Sequence, residues 1–179
     1  VCDQKQSLPS ALNAVCAAPR ANNARGAVQD LSYLSMRQLA AAEAILTSLM
    51  PRQPIASLRY LLTIALVLLL DQKKRYTEFT VVNQAVEAAS QLRIHAANAV
   101  TNGVLRNFLR QRHTLSQKLA EAPNTLWNFP LWWIEELRAA YPDKWERILT
   151  ISNQPPPMSL RVNQTKIEPS DALEMLSAQ

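Results

Sequence analysis

Leu31, Leu34, Leu39, Ala42, Ile45, Leu46 and Leu49 recur at the spacing of one helical face, which predicts a long helix over about residues 24–50. Pro51 and Pro54 stop that helix and open the next. Over residues 55–70, Leu58, Leu61, Leu62, Ala65, Leu66, Leu68 and Leu69 cover most of the helical wheel, so this element is expected at the centre of a bundle. A short helix is expected over 7–16, with Ser7 as N-cap and Pro9 in its first turn. Val82, Ala85, Val86 and Ala89 mark the inward face of a helix over about 78–92. The next helix, over about 95–113, places Val100, Val104, Leu105, Phe108 and Leu109 on one half of its wheel. Arg106, Arg110 and His113 fall on the other half, one turn apart. Arg112 lands among the apolar positions, where it must snorkel unless the helix frays before it.

The pattern changes after Pro123. All four tryptophans (Trp127, Trp132, Trp133 and Trp145) lie beyond it. Stacking on unpaired bases is one use for them. Trp132 and Trp133 adjoin Leu131, Ile134 and Leu137, and Trp145 adjoins Ile148 and Leu149, so helical core packing explains these three better; Trp127 is the freest. Pro130 and Pro142 stand at helix starts, and Pro155, Pro156 and Pro157 form a hard break. Met158, Leu160 and Val162 then alternate with Ser159, Arg161 and Asn163, which predicts a strand, followed by a helix over 171–177. A lone strand cannot bury a face, so this tail is expected to open a domain that continues past Gln179. A start at Val1 rather than Met leads to the same expectation of an upstream part.

Composition narrows the chemistry. Gly26 and Gly103 are the only glycines in 179 residues, so no glycine-rich phosphate loop can be written, and cofactor sites built on such loops are not expected here. Cys2 and Cys16 form no metal-ligand pattern, and no acid or cysteine stands at ligand spacing from His95 or His113. The apolar run over 55–70 is short for a membrane span and is broken by Arg59, so a cytoplasmic protein is expected.

Charge adds the main functional signal. The chain carries a formal +5. Between Glu87 and Glu121 it has no acidic residue, yet it places Arg93, Arg106, Arg110, Arg112 and Lys118 there, with both histidines. A stretch of one sign repels itself and suits an anionic partner such as a nucleic-acid backbone. The turn over 71–76 adds Lys73, Lys74 and Arg75. Arg110 suits a phosphate contact or an anchor for a carboxylate elsewhere in the bundle. Arg106 leans toward a structural role, because it adjoins Gly103, where helices could pack closely. Lys73, Lys74 and Arg75 could be a solvated loop or an extension of one basic face.

Asn102-Gly103-Val104-Leu105-Arg106, continued by Phe108, Leu109 and Arg110, resembles the helix signature of NusB-like RNA-binding domains. Val82-Asn83-Gln84-Ala85-Val86-Glu87 is similar to the preceding helix of those domains. Pro130-Leu131-Trp132, Tyr141-Pro142, Asn153-Gln154-Pro155-Pro156-Pro157 and Leu160-Arg161-Val162-Asn163 look like the bridge of the RsmB (Sun, Fmu) rRNA methyltransferase family. That resemblance implies an all-α, NusB-like bundle over 1–123, a two-helix bridge over 124–157, and the first strand and helix of an α+β module over 158–179. The family often has glycine where Leu34 stands, which predicts looser helix packing there, and a basic first helix upstream of Val1.

Full-length members transfer methyl from S-adenosylmethionine to carbon five of a cytosine in small-subunit rRNA. They use a Pro-Cys nucleophile and a glycine-rich loop. Neither cysteine here follows a proline, so the resemblance implies a noncatalytic front end with no cofactor, metal or catalytic residue of its own. Its implied partners are small-subunit rRNA and the methyltransferase domain, with no membrane. The expected RNA contacts are Arg106, Arg110, Arg112, Lys73, Lys74 and Arg75. The alternatives are a NusB-type antitermination module that binds RNA and protein, and a domain that only docks on the catalytic part.

Overall fold

A computed structural model describes residues 6–17, 23–71, 73, 75–157 and 159–177 of the chain. Lys74, Met158 and Cys2 lie outside the described residues. Helices α1 (Leu8–Cys16), α2 (Arg25–Arg37), α3 (Leu39–Leu49), α4 (Ala56–Leu70), α5 (Glu78–Gln91) and α6 (Ala97–Glu121) build the first part. Helices α7 (Pro123–Trp127), α8 (Leu131–Ala140), α9 (Trp145–Ser152) and α10 (Pro169–Ser177) follow. Among the described residues there is no strand.

The largely apolar α4 is central, as its wheel predicts, and it packs on α2, α3, α5 and α6. Its Leu62, Leu66 and Val67 are fully buried with Ile45, Leu46, Leu105 and Phe108. Ser7 caps α1 by accepting the Ser10 N–H at 3.4 Å, with Pro9 in the first turn. On α5 the inward line is Val81, Ala85 and Ala89; Val82 and Val86 are only half-buried, so the face is turned from the predicted one.

The helix predicted over 24–50 is in fact two, parted at Gln38 (φ −131°, ψ 18°). No glycine or proline causes the break. Asn128, itself left-handed at φ 58°, accepts the Ala40 N–H at 2.8 Å and donates to the Met36 carbonyl at 3.1 Å. Those two groups belong to the facing helix ends, which lack intrahelical partners. One amide 88 residues away in sequence thus caps both helices.

A short turn over 92–96, with left-handed Arg93 (φ 54°) and Ala96 (φ 57°), returns the chain so that α5 and α6 pack as an antiparallel hairpin. The helix α6 runs to Glu121, beyond the predicted end at His113. Leu34 is buried at 7% exposure in the main core, where its side chain occupies the space that a glycine would leave for a close helix contact. Gly103 is no close approach either, because a Cβ placed there would meet nothing within 4 Å.

A second cluster gathers Ile134, Leu137 and Leu149 with Trp127, Phe129, Trp145 and Ile148. Trp127, expected to be the freest tryptophan, packs edge-on to Trp145 at 5.4 Å. Trp132 and Trp133, expected in a core, are 64% and 39% exposed and lie against each other. Residues 159–163 form neither helix nor strand. A ladder needs a second strand, and none of the described residues supplies one. The helix expected over 171–177 forms as α10, starting at Pro169.

Candidate nucleic-acid interface

The basic residues separate into two groups by what faces them. Arg112 sits on the inner side of α6, between buried Phe108 and Leu115. Its guanidinium donates to Glu78 Oε1 at 2.6 Å, donates to the Leu69 carbonyl, and lies 5.5 Å from the Phe108 ring centroid. Leu69 is in the last turn of α4, where carbonyls lack intrahelical donors and the helix dipole favours a cation. Arg112 therefore does snorkel, and it caps one helix while tying two others to it. The same contacts keep α6 from fraying.

Arg75 is similarly engaged. Its Nη1 is 2.6 Å from Asp30 Oδ2 on α2, and its Nε is 3.3 Å from Asp71 Oδ2. The second contact is an ion pair without a hydrogen bond, and that buried oxygen has no hydrogen-bond partner among the described residues. The other oxygen of Asp71 accepts the Lys73 N–H at 3.2 Å. Arg75 is thus fastened to two aspartates, one of which also accepts the Lys73 backbone N–H. Lys73 is exposed and has no carboxylate partner among the described residues.

Arg106 and Arg110 differ. Both are exposed on the outer side of α6, with exposed His113 one turn on. Arg106 Nε donates to Asn102 Oδ1 at 2.9 Å, and Arg110 makes only a long 3.5 Å contact to Asn107. Neither has a carboxylate within ion-pair distance among the described residues. Amide partners orient a guanidinium without cancelling its charge. These two side chains offer net positive potential on the part of α6 that precedes Glu121, which carries no acid.

Arg106 also borders an open groove of about 320 Å³ between α5 and α6. Asn83, Asn98, Asn102, Val86 and Phe79 line it as well. Phe79 is 80% exposed, more than any other large hydrophobic among the described residues. It was missed in the sequence. The available signal was its position off the Val81, Ala85, Ala89 line, where a surface helix ordinarily carries a polar residue.

Among the described residues no group of three His, Cys, Asp or Glu side chains could hold a metal ion, and no helix is long and apolar enough to cross a membrane.

Residues 2–110 match the NusB family, and residues 129–179 match the Methyltr_RsmF/B-like, ferredoxin-like domain. The chain is 32% identical over 179 residues to a ribosomal RNA small subunit methyltransferase B of Serratia proteamaculans, covering 98% of this chain and 41% of that protein. A Yersinia enterocolitica protein of the same name gives the same values. A probable ribosomal RNA small subunit methyltransferase B of Coxiella burnetii is 41% identical over 97 residues, covering 54% of this chain and 23% of that protein. The chain spans about two-fifths of the length of the longest-matching of these curated relatives. With its bundle matched from residue 2 to residue 110, the chain belongs to the NusB family, followed here by a segment of the RsmF/B-like ferredoxin-like domain.

Proposed function

We propose that this chain is the RNA-holding region of a cytoplasmic, S-adenosylmethionine-dependent methyltransferase that acts on cytosine carbon five in small-subunit rRNA. One observation carries the RNA part. Arg106 and Arg110 face outward without carboxylate partners among the described residues, on a helix with no acid before Glu121. Such side chains contact phosphates and set register without reading sequence. Lys73 can extend the contact; Lys74 lies outside the described residues. Arg75 and Arg112 contribute to the fold, because their charge is already met by Asp30, Asp71 and Glu78. The names of the relatives supply the substrate class, and the cofactor would be held by a catalytic part outside these residues.

The ferredoxin-like match after the bundle favours this reading over a solitary antitermination module. The test is RNA binding by the full natural chain, with Arg106 and Arg110 both changed to Glu. Affinity for a small-subunit rRNA fragment is expected to fall at least about tenfold at physiological salt, because two phosphate contacts and their released counterions are lost. Unchanged affinity in a variant with an unaltered circular dichroism spectrum contradicts the proposal.

A further inference from the structure

The groove between α5 and α6 combines features that a phosphate grip does not need. Phe79 is held out to solvent from the first turn of α5. That turn is fixed on both sides of it. Thr77 accepts the Thr80 N–H at 3.2 Å, and Glu78 is bound to Arg112 at 2.6 Å. The ring is therefore presented from an ordered turn, and little backbone freedom remains to be lost when something covers it.

Three amides share the groove. Asn102 gives its Oδ1 to Arg106, which leaves its NH₂ group available. Asn98 Oδ1 accepts the Ala99 N–H at 2.8 Å, and its NH₂ group is likewise left available. Asn83 makes no hydrogen bond among the described residues, so it offers both a donor and an acceptor. In the antiparallel hairpin Arg106 stands toward the Phe79 end of the groove and Asn98 toward Val86.

We propose that this groove takes one unpaired nucleobase, stacked on Phe79, with the Asn83, Asn98 and Asn102 amides against its polar edges and Arg106 on a neighbouring phosphate. The inference rests on the RNA-binding reading above and deepens it: the ligand is RNA with at least one base out of the helical stack. A duplex cannot satisfy the site, since its base faces are already stacked and its major-groove base edges lie in a deep, narrow groove. An apolar peptide fits poorly, because it would strip water from three amides and a guanidinium without replacing those hydrogen bonds. A base does both jobs, offering an aromatic face and a mixed donor and acceptor edge. The volume, about 320 Å³, lies at the low end of ligand clefts and suits one base rather than several. Glu87, one turn beyond Asn83, is the nearest acid along that face of α5, so the phosphate is placed at the opposite, Arg106 end.

The test uses the full natural chain and two fluorescein-labelled RNA hairpins of identical stem, one with an adenine-rich single-stranded loop and one with the loop bases removed. Phe79→Ala is expected to weaken binding of the first about 5- to 150-fold, the range measured for a stacked base. It should leave the salt dependence unchanged and have no effect on the abasic hairpin. Phe79→Tyr should restore most of the affinity. Equal loss on both hairpins, or no loss on either, overturns the base site and leaves Phe79 to a protein partner. Failure of the broader RNA reading has a different signature, in which neither hairpin binds, or Arg106→Glu with Arg110→Glu changes nothing. In that case both proposals fall.

Discussion

Arg110 and Arg112 stand two residues apart on one helix, and they do opposite things. Arg112 points inward to a carboxylate, a helix-end carbonyl and an aromatic ring. Arg110 points outward to little more than water. The basic turn at Lys73 and Arg75 repeats the contrast at shorter range, with one cation solvated and the other fastened to Asp30 and Asp71. A run of basic residues is therefore not the same as a basic surface. The sign of a segment is local, but cancellation comes from other elements, here from α2, the end of α4 and the start of α5.

The sharpest way to break this comparison is the double reversal Arg106→Glu and Arg110→Glu, already expected to lower RNA affinity at least about tenfold with no change in fold. Arg112→Ala should do the reverse. It should destabilise the chain by about 1–3 kcal/mol, measured by urea unfolding, because the carbonyl of buried Leu69 loses its donor. The ion pair adds little to that figure, since Arg112 and Glu78 are 35% and 52% exposed and their attraction is screened. RNA affinity corrected for unfolded protein should not change.

Asn128→Ala comes next, at about 1–2 kcal/mol, because it uncaps two helix ends at once. Gly103→Ala is the smallest effect and has the opposite sign. The site is exposed, helical and open around the missing Cβ, so stability should rise by about 0.5–1 kcal/mol. A loss of stability there would show that α6 is approached closely by something at Gly103 after all.

Much of the bundle was legible in the chain. Apolar periodicity found α4 and its central place, and Ser7 with Pro9 found the start of α1. The outward grouping of Arg106, Arg110 and His113 followed from 3.6-residue periodicity alone. What escaped was set by contacts far apart in sequence. Nothing near Gln38 announces a break, because the residue that stabilises it is Asn128. Nothing near Arg112 announces that its charge is met, because Glu78 lies 34 residues away, and for Arg75 only Asp71 is close in sequence while Asp30 lies 45 residues away. Trp132 and Trp133 misled for a related reason. Spacing shows which residues can share a face, not whether another element covers it, and Trp132 and Trp133 stay 64% and 39% exposed outside the second cluster.

The most direct test of the account compares two conservative changes, Arg110→Gln and Arg112→Gln, in a salt titration of RNA binding by the full natural chain. Each removes one positive charge from the same helix. The account predicts that Arg110→Gln lowers the slope of log affinity against log salt by about 0.7–0.9, one phosphate contact, while Arg112→Gln leaves the slope unchanged. Equal slopes for Arg110→Gln and the natural chain, or a reduced slope for Arg112→Gln, would contradict it.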